Sequence, residues 1–333
     1  MRKMLKTSLV PVFFSFCCFL ISGCGSNEKY EVEKFLYGTN IKMVLYGKKS
    51  DMKKAAELAF QEMERVDKEI NNHTEGGVFD RINKNAGKNK EKLNAEQEEI
   101  LKRVIKASEE TYGKYDVTIS PVFDLWGFES GEDKLPNDEK IKEALKLVNY
   151  NDIVIDKGEC ALLKRGEKIE TGSFLKGYAI YRARKVLEAN GVKSGMITAI
   201  SSIETIGKKP NGEVWKIGTQ NPENPDTIMG ILKVEGKSIG VSGDYQTYIE
   251  VKGKRYHHIL NAHTGYPFEE VKMVVIVTDN GLDADIYSTA IFLAGVDRGL
   301  EIARNHKNID VLIVDKDMKT YMTEGMKKYF EKR

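Results

Sequence analysis

The sequence predicts an α+β fold. Apolar residues recur at helical spacing in two long stretches of the first half, and short apolar runs bounded by glycine turns dominate the second. Helices and strands are mixed without the strict βαβ alternation of a doubly wound sheet. With 333 residues, 41% apolar and 31% charged, the chain suits one large domain or two intimately packed ones. This composition excludes disorder, collagen-like repeats and a polytopic membrane protein.

Residues 1–23 read as a signal peptide. Arg2, Lys3 and Lys6 form a positive n-region, Ser8 to Ile21 a short apolar h-region, and Ser22-Gly23 the small residues before a cleavage point. Leu20-Ile21-Ser22-Gly23-Cys24 resembles a bacterial lipobox, which implies export, with Cys24 diacylated as the new N-terminus. An ordinary signal peptide or an uncleaved anchor is the plainer alternative. Removing the three basic residues of this segment takes the formal charge from +2 to −1. A near-neutral chain lacks the electrostatic footprint of a nucleic-acid binder. Cys17 and Cys18 leave with the signal, so Cys160 alone stays free and no internal disulfide is possible. Residues 24–30 then read as the lipidated cysteine and a short polar tether, and two acyl chains would anchor it stably.

Tyr30 to Gly47 reads as paired strands turning at Gly38-Thr39-Asn40. From Asp51, the stripe Ala55, Leu58, Ala59, Met63, Val66 and Ile70 predicts a helix. Ile100, Leu101, Val104, Ile105 and Ser108 predict a second, and Asp138 to Leu147 a third, opened by Pro136-Asn137. Ile153-Val154-Ile155, Gly195 to Ile200 and Thr205-Ile206 read as short buried strands. Hairpin-like pairs are expected from Ile231 to Leu260, turning at Gly236-Lys237 and Gly253-Lys254. After a strand at Val274 to Val277, helices are expected over Ala284 to Ala294 and Arg298 to Asn305. Val311 to Val314 closes the chain as a strand.

Three clusters are unlike ordinary core. In Glu170 to Tyr178 a glycine turn leads into a helix with Lys176 in its first turns. Amides at a helix N-terminus favour anions, and a lysine adds a point charge for phosphate. The Walker-loop spacing is missing, and a glycine turn with a surface lysine accounts for the same residues. In Asp283 to Thr289, a helix starting near Ala284 puts Asp285 and Thr289 on one face, with Ser288 beside them. One carboxylate with hydroxyls suits a hard cation such as Mg²⁺, while Asp at a helix start is also a common cap. The third cluster is Ser242 to Tyr245 followed by Tyr256 to Pro267, which holds His257, His258 and His263. Zinc is disfavoured because neighbouring histidines on a strand face opposite sides and no cysteine joins them. A histidine beside a bound phosphate suits proton transfer near neutral pH.

Taken in order, these landmarks resemble the ApbE family of FAD:protein FMN transferases along nearly the whole exported part. They are Tyr37-Gly38-Thr39, Asp80-Arg81-Ile82-Asn83, Tyr115 to Pro121 with Leu125-Trp126-Gly127-Phe128, Gly172 to Tyr178, Gly212 to Pro222, Ser242 to Tyr245, His258 to Pro267, and Asp285 to Thr289. The resemblance implies one large ApbE-like, T-fold-related domain over residues 31–330, with mixed or antiparallel sheets and packed helices. It also implies a reaction. FAD is split at its pyrophosphate, AMP leaves, and FMN is esterified to a Ser or Thr of a client flavoprotein, such as a subunit of a membrane redox complex.

By position, the resemblance has Asp285 and Thr289 hold Mg²⁺ with the Ser173 carbonyl, and Ser288 as a neighbour. Lys176 touches the FAD phosphates, while Tyr37, Lys114, Tyr115, Asp116, Glu170 and Leu260 line the FAD site. His258 is the expected proton-transfer group. Two departures stand out. Glu170-Thr171-Gly172 replaces the usual Asp-Leu-Gly, and Thr198 to Ser202 replaces an Asn-x-Gly-Gly-Asp run. Losing that Gly-Gly removes a place where backbone could approach a ligand closely. An FAD pyrophosphatase and a non-catalytic FAD-binding lipoprotein are the alternatives. The expected location is the outer face of a bacterial cytoplasmic membrane, or its periplasmic side where two membranes exist.

Overall fold

A computed structural model describes residues 27–128 and 133–333, apart from the side chain of Pro225. The signal segment and Cys24 lie outside the described residues. The frame is an eight-stranded antiparallel sheet whose spatial order follows chain order. Its strands are β1 (Glu28–Leu36), β2 (Thr39–Gly47), β3 (Gly195–Ala199), β4 (Ser202–Ile206), β5 (Ser238–Gly243), β6 (Val271–Thr278), β7 (Asp310–Asp315) and β8 (Thr320–Met322).

The central strands are apolar on both faces because both faces are covered. Along β6, Val274 and Ile276 join the helix-side core, whereas Met273, Val275 and Val277 join the core on the other side. β7 alternates likewise, Val311 and Ile313 against Leu312 and Val314. On the helix side lie α1 (Lys49–Ile70), α2 (Val78–Lys84), α3 (Ala95–Glu110), α6 (Leu175–Ala189), α7 (Gly281–Ala294) and α8 (Val296–Asn305). A three-stranded sheet of Trp215–Asn221, Asn224–Val234 and Phe330–Lys332 covers the opposite face through Trp215, Leu232 and Phe330. Two short helices, α4 (Ser120–Trp126) and α5 (Asp138–Leu145), pack with the hairpin Tyr248–Val251/Lys254–His257 in a third cluster around Trp126. The architecture is the expected α+β domain of packed helices and antiparallel sheets.

The differences from expectation have local causes. The first turn is Tyr37-Gly38, with φ of 53° and 70°, because two consecutive left-handed residues match strand twist in a two-residue hairpin. β1 begins at Glu28, so Glu28 to Tyr30, expected to be tether, pair with Leu45 to Gly47. The turn at Gly236-Lys237 does not make a hairpin. The strand before it pairs in the three-stranded sheet while β5 pairs with β4 and β6, so the chain changes layers there. Val311–Val314 does not end the fold, since Thr320–Met322 and Phe330–Lys332 each pair after it. α2 and α4 are too short for the apolar spacing to announce them.

This topology gathers the functional segments at one end of the main sheet. Register pairs Lys42 with Thr198, which brings the β1–β2 turn to the side of the β3–β4 turn at Ile200-Ser201. The C-terminal end of β5 arrives there too, with Val241 N–H donating to the Ser201 carbonyl at 2.9 Å. α6 and α7 reach the same end by an unusually close approach. A Cβ on Gly177 would lie 2.4 Å from Asp285 Cγ and 2.5 Å from the Gly281 carbonyl oxygen, so only glycine fits. A Cβ on Gly240 would lie 2.3 Å from the Ala284 carbonyl oxygen, which lets β5 run directly beneath α7.

Candidate active site

At this end of the sheet opens a cavity of about 530 Å³, walled by both turns, the start of α6, the middle of α7, the end of β5 and residues 258–260. Its deepest polar feature is on α7. That helix is buried on nearly all sides, with Ile286, Ile291, Phe292 and Leu293 packed around it, so a carboxylate there is expensive without partners. Asp285 has them. Gly177 N–H donates to Oδ2 at 2.6 Å, and Ser202 Oγ straddles both oxygens at 2.8 and 3.0 Å. Burial pushes this carboxyl up to about 6, against the pull of Lys176, Ser202 and Gly177 toward ionisation. Capping is not its job, because the Asn280 side chain caps α7 by accepting from Leu282 N–H.

One turn on, Ser242 Oγ on β5 lies 2.9 Å from Ser288 Oγ and 3.1 Å from Thr289 Oγ1. Ser288 also donates back to the Asp285 carbonyl at 2.9 Å, whereas Thr289 lies closer to the open cavity, half-buried. Gly177 N–H is one of the first-turn amides of α6 that have no intrahelical acceptor, and Asp285 supplies one. All these donors are oxygens, with a single carboxylate. Among the described residues no group of three or more His, Cys, Asp or Glu could hold a metal. Such a set suits a hard cation that keeps waters and completes its shell with a bound phosphate, and does not suit zinc.

Lys176, at the second position of α6, lines the same cavity and acts electrostatically on both Asp285 and His258. Tyr115 is buried beneath, its hydroxyl 3.0 Å from Ser173 Oγ, and burial pushes its phenol up. The three clustered histidines separate into different roles. His257 Nε2 meets the Phe268 carbonyl at 3.2 Å, and His263 Nε2 the Tyr112 carbonyl at 2.9 Å, so both serve the fold. Of these three, His258 alone lines the cavity, where His73 from the α1–α2 loop also lies. Its Nδ1 lies 3.1 Å from the Thr247 carbonyl oxygen. A carbonyl only accepts, so Nδ1 carries the proton and Nε2 the lone pair. Burial pushes this imidazole down to about 4, helped by the Lys176 charge and opposed by the Thr247 carbonyl. Phe128 meets the ring edge-on, with centroids 6.4 Å apart.

The remaining expected residues differ in what they still have to offer. Glu170 lines the cavity, with Oε2 accepting from Ser120 Oγ at 3.2 Å and Oε1 from Gly172 N–H at 3.1 Å. Burial alone would raise its carboxyl, but nearby His73 with Gly172 and Ser120 brings it below the ordinary range. The carboxylate of Asp116 is consumed by Thr118 N–H and Oγ1 and by Tyr150 N–H, so it braces the loop that carries Tyr115. Tyr37 donates its hydroxyl to the Met63 carbonyl and presents its ring to the cavity, as Leu260 presents its side of the wall. Lys114 departs from expectation. It is absent from the lining, and its ammonium lies 5.5 Å over the Phe268 ring.

Sequence reasoning missed Ser202 as a functional residue and gave Ser242 no role, because serines carry no spacing signal. Gln246 and Thr247, also in the wall, were passed over for the same reason. The divergent segment resolves into two unlike positions. Ser201 lines the cavity, whereas Ile200 is 68% exposed and takes the left-handed turn conformation, φ 48°, that a glycine would adopt without strain.

Comparison with known proteins gives the family and the fold. The model of the ApbE family matches residues 37–313. The FAD:protein FMN transferase of Klebsiella pneumoniae is 28% identical over 296 residues, covering 87% of this chain and 90% of that one. That of Haemophilus influenzae is 27% identical over 276 residues, covering 79% and 80%. The crystal structure of the ApbE protein of Thermotoga maritima superposes with a TM-score of 0.82 at 29% identity, over 91% of this chain and 99% of that one. The flavin transferase ApbE of Vibrio cholerae shares the fold at the same TM-score of 0.82 and 22% identity, over 91% and 99%.

The environment of His258 makes a pH prediction. The ordinary value is 6.5 and the folded one about 4, so stability present above 6.5 is lost as pH falls from 6.5 to 4, the window in which only the unfolded chain binds the proton. A ¹⁵N NMR titration should find His258 as the Nδ1–H tautomer with a midpoint near 4. A midpoint near 6.5 would contradict the half-buried, neutral assignment.

Proposed function

The chain belongs to the ApbE family, and from that premise we propose that it is a flavin transferase that moves FMN from FAD to a Ser or Thr hydroxyl of a client flavoprotein and releases AMP. The observation that supports this most is the convergence of Asp285, Lys176 and a neutral His258 on one cavity. In the proposed step the client hydroxyl oxygen forms a bond to the FMN phosphorus. The bridging P–O bond breaks, and AMP leaves with the bridging oxygen. The hydroxyl proton passes to His258 Nε2, whose free lone pair the Thr247 contact guarantees.

Lys176 and the amides at the start of α6 face the pyrophosphate charge, and Lys176 stabilises the leaving phosphate as it gains charge. Asp285 and Thr289, with the Ser173 carbonyl, would hold Mg²⁺, which when bound neutralises phosphate charge. Ser288 is its neighbour, held back on its own helix. Tyr37, Tyr115, Glu170 and Leu260 supply the walls that orient FAD. Asp116 lines the cavity with its carboxylate held by its own loop, and Lys114 supports the wall from behind through its carbonyl, which accepts from Ala262 N–H at 3.0 Å. Phosphoryl transfer needs mainly positioning and charge neutralisation, which this arrangement offers.

The same reading places the enzyme at a membrane surface. Cys24 in its lipobox would carry the anchor, and the three residues between it and β1 at Glu28 span roughly 14 Å at full extension. Clients within reach would then be membrane-bound redox subunits. Among the described residues no helix is long and apolar enough to cross a membrane.

One incubation with FAD, Mg²⁺ and a client flavoprotein domain tests the chemistry. Covalent flavin on the client is expected, whereas free FMN would mean a pyrophosphatase and unchanged FAD a binding protein. His258→Ala should lower turnover of saturating FAD by about 10²–10⁴-fold, and Asp285→Ala should abolish it with the fold retained. Full activity in either variant would remove that residue from the mechanism. For the anchor, Cys24→Ala should leave the signal uncut or release the protein from membranes. Unchanged processing and partitioning would refute lipidation.

A further inference from the structure

The partners of Asp285 do more than compensate its burial, because they use up most of its oxygen lone pairs. An ionised carboxylate offers about four acceptor positions, two on each oxygen. Gly177 N–H takes one on Oδ2, at 2.6 Å. Ser202 Oγ, at 2.8 Å from one oxygen and 3.0 Å from the other, takes the side between them, which is where a cation held by both oxygens at once would have to sit. Neither partner has room to move aside. Ser202 is 1% exposed on a central strand, and Gly177 is wedged so tightly that a Cβ would fall 2.4 Å from Asp285 Cγ. By elimination, the outer side of Oδ1 is what remains for a cation.

We infer that Ser202 sets the cation preference of this site by restricting Asp285 to one-oxygen coordination. The inference rests on the cation reading given above and goes beyond it, since it concerns which cation the protein accepts. Mg²⁺ and Mn²⁺ are small, take six ligands and are satisfied by one carboxylate oxygen with waters and phosphate oxygens. Ca²⁺ is larger, takes six to eight oxygens and commonly uses both oxygens of a carboxylate. The nearby hydroxyls do not relieve this restriction. Ser288 donates to the Asp285 carbonyl at 2.9 Å and is bridged by Ser242, whose Oγ also lies 3.1 Å from Thr289 Oγ1. The row is therefore braced against the expansion that a seven- or eight-coordinate ion requires. Ser202 touches neither FAD nor the reacting atoms in this scheme. It is a positioning residue that acts through Asp285.

The test is Mn²⁺ binding to the full purified protein, followed by EPR of free Mn²⁺, with Ca²⁺ as competitor and no FAD. Wild type should bind Mn²⁺ and resist displacement by Ca²⁺. Ser202→Ala frees the side between the two oxygens, so Ca²⁺ should compete at least about tenfold better, the lower end of what losing a partner of a metal ligand does to affinity. Ser202→Thr keeps the hydroxyl and should behave as wild type. Ser202→Cys, nearly isosteric and a weak donor, should shift in the same direction as Ser202→Ala and serves if the alanine variant does not fold. An unchanged Ca²⁺/Mn²⁺ ratio in the folded Ala or Cys variant would overturn the inference and leave the cation site standing. Failure of wild type to bind Mn²⁺ at all would overturn both.

Discussion

The structure turns on one buried carboxylate. Asp285 sits in a helix that is otherwise apolar, where an unpartnered charge would cost several kcal/mol, and it is retained because Gly177 and Ser202 meet it from α6 and β4. Those contacts hold only if α6, α7 and the sheet approach more closely than side chains ordinarily permit, hence the glycines at 177 and 240. The close approach in turn brings the start of α6, with Lys176, to the mouth of the same cavity. Removing the carboxylate would leave two buried donors without an acceptor, a local cost of about 1–3 kcal/mol each that the apolar packing of α6 and α7 outlasts.

Charge is distributed in the cavity according to what each group must do. In the proposed reading, the side that would face phosphate carries Lys176 and the start of α6, while the side that would accept the proton carries a neutral imidazole. Keeping His258 neutral next to a lysine is consistent, because burial and the lysine push its pKa in the same direction. A protonated histidine there could not accept a proton from an incoming hydroxyl. Glu170 and Asp116 are spent on hydrogen bonds to neighbouring loops, which stiffens the walls without adding reactive groups.

Much of this was legible in the sequence, and the parts that were not share a cause. Helical spacing announces α1, α3 and α7 because their apolar faces meet one continuous core, and the i, i+4 relation of Asp285 and Thr289 follows from helix geometry alone. Lys176 is legible for the same reason, as a residue in the first turn of a helix. The change of layer at Gly236-Lys237 is invisible locally, since a tight turn looks alike whether its strands pair with each other or with others. The division of labour among His257, His258 and His263 depends on which carbonyl each ring meets, at Phe268, Thr247 and Tyr112. Ser202 lies 83 residues from Asp285 in the chain, and only the fold joins them.

In the proposed reading Asp285 places a cation against the phosphates of a flavin nucleotide in this cavity. Pulsed ENDOR of Mn²⁺ bound to the protein together with FAD tests it most directly. The account predicts a ³¹P hyperfine coupling from a phosphate in the first coordination shell, present in wild type and lost in Asp285→Ala. Mn²⁺ bound without any ³¹P coupling, or with a coupling that Asp285→Ala leaves unchanged, would contradict it.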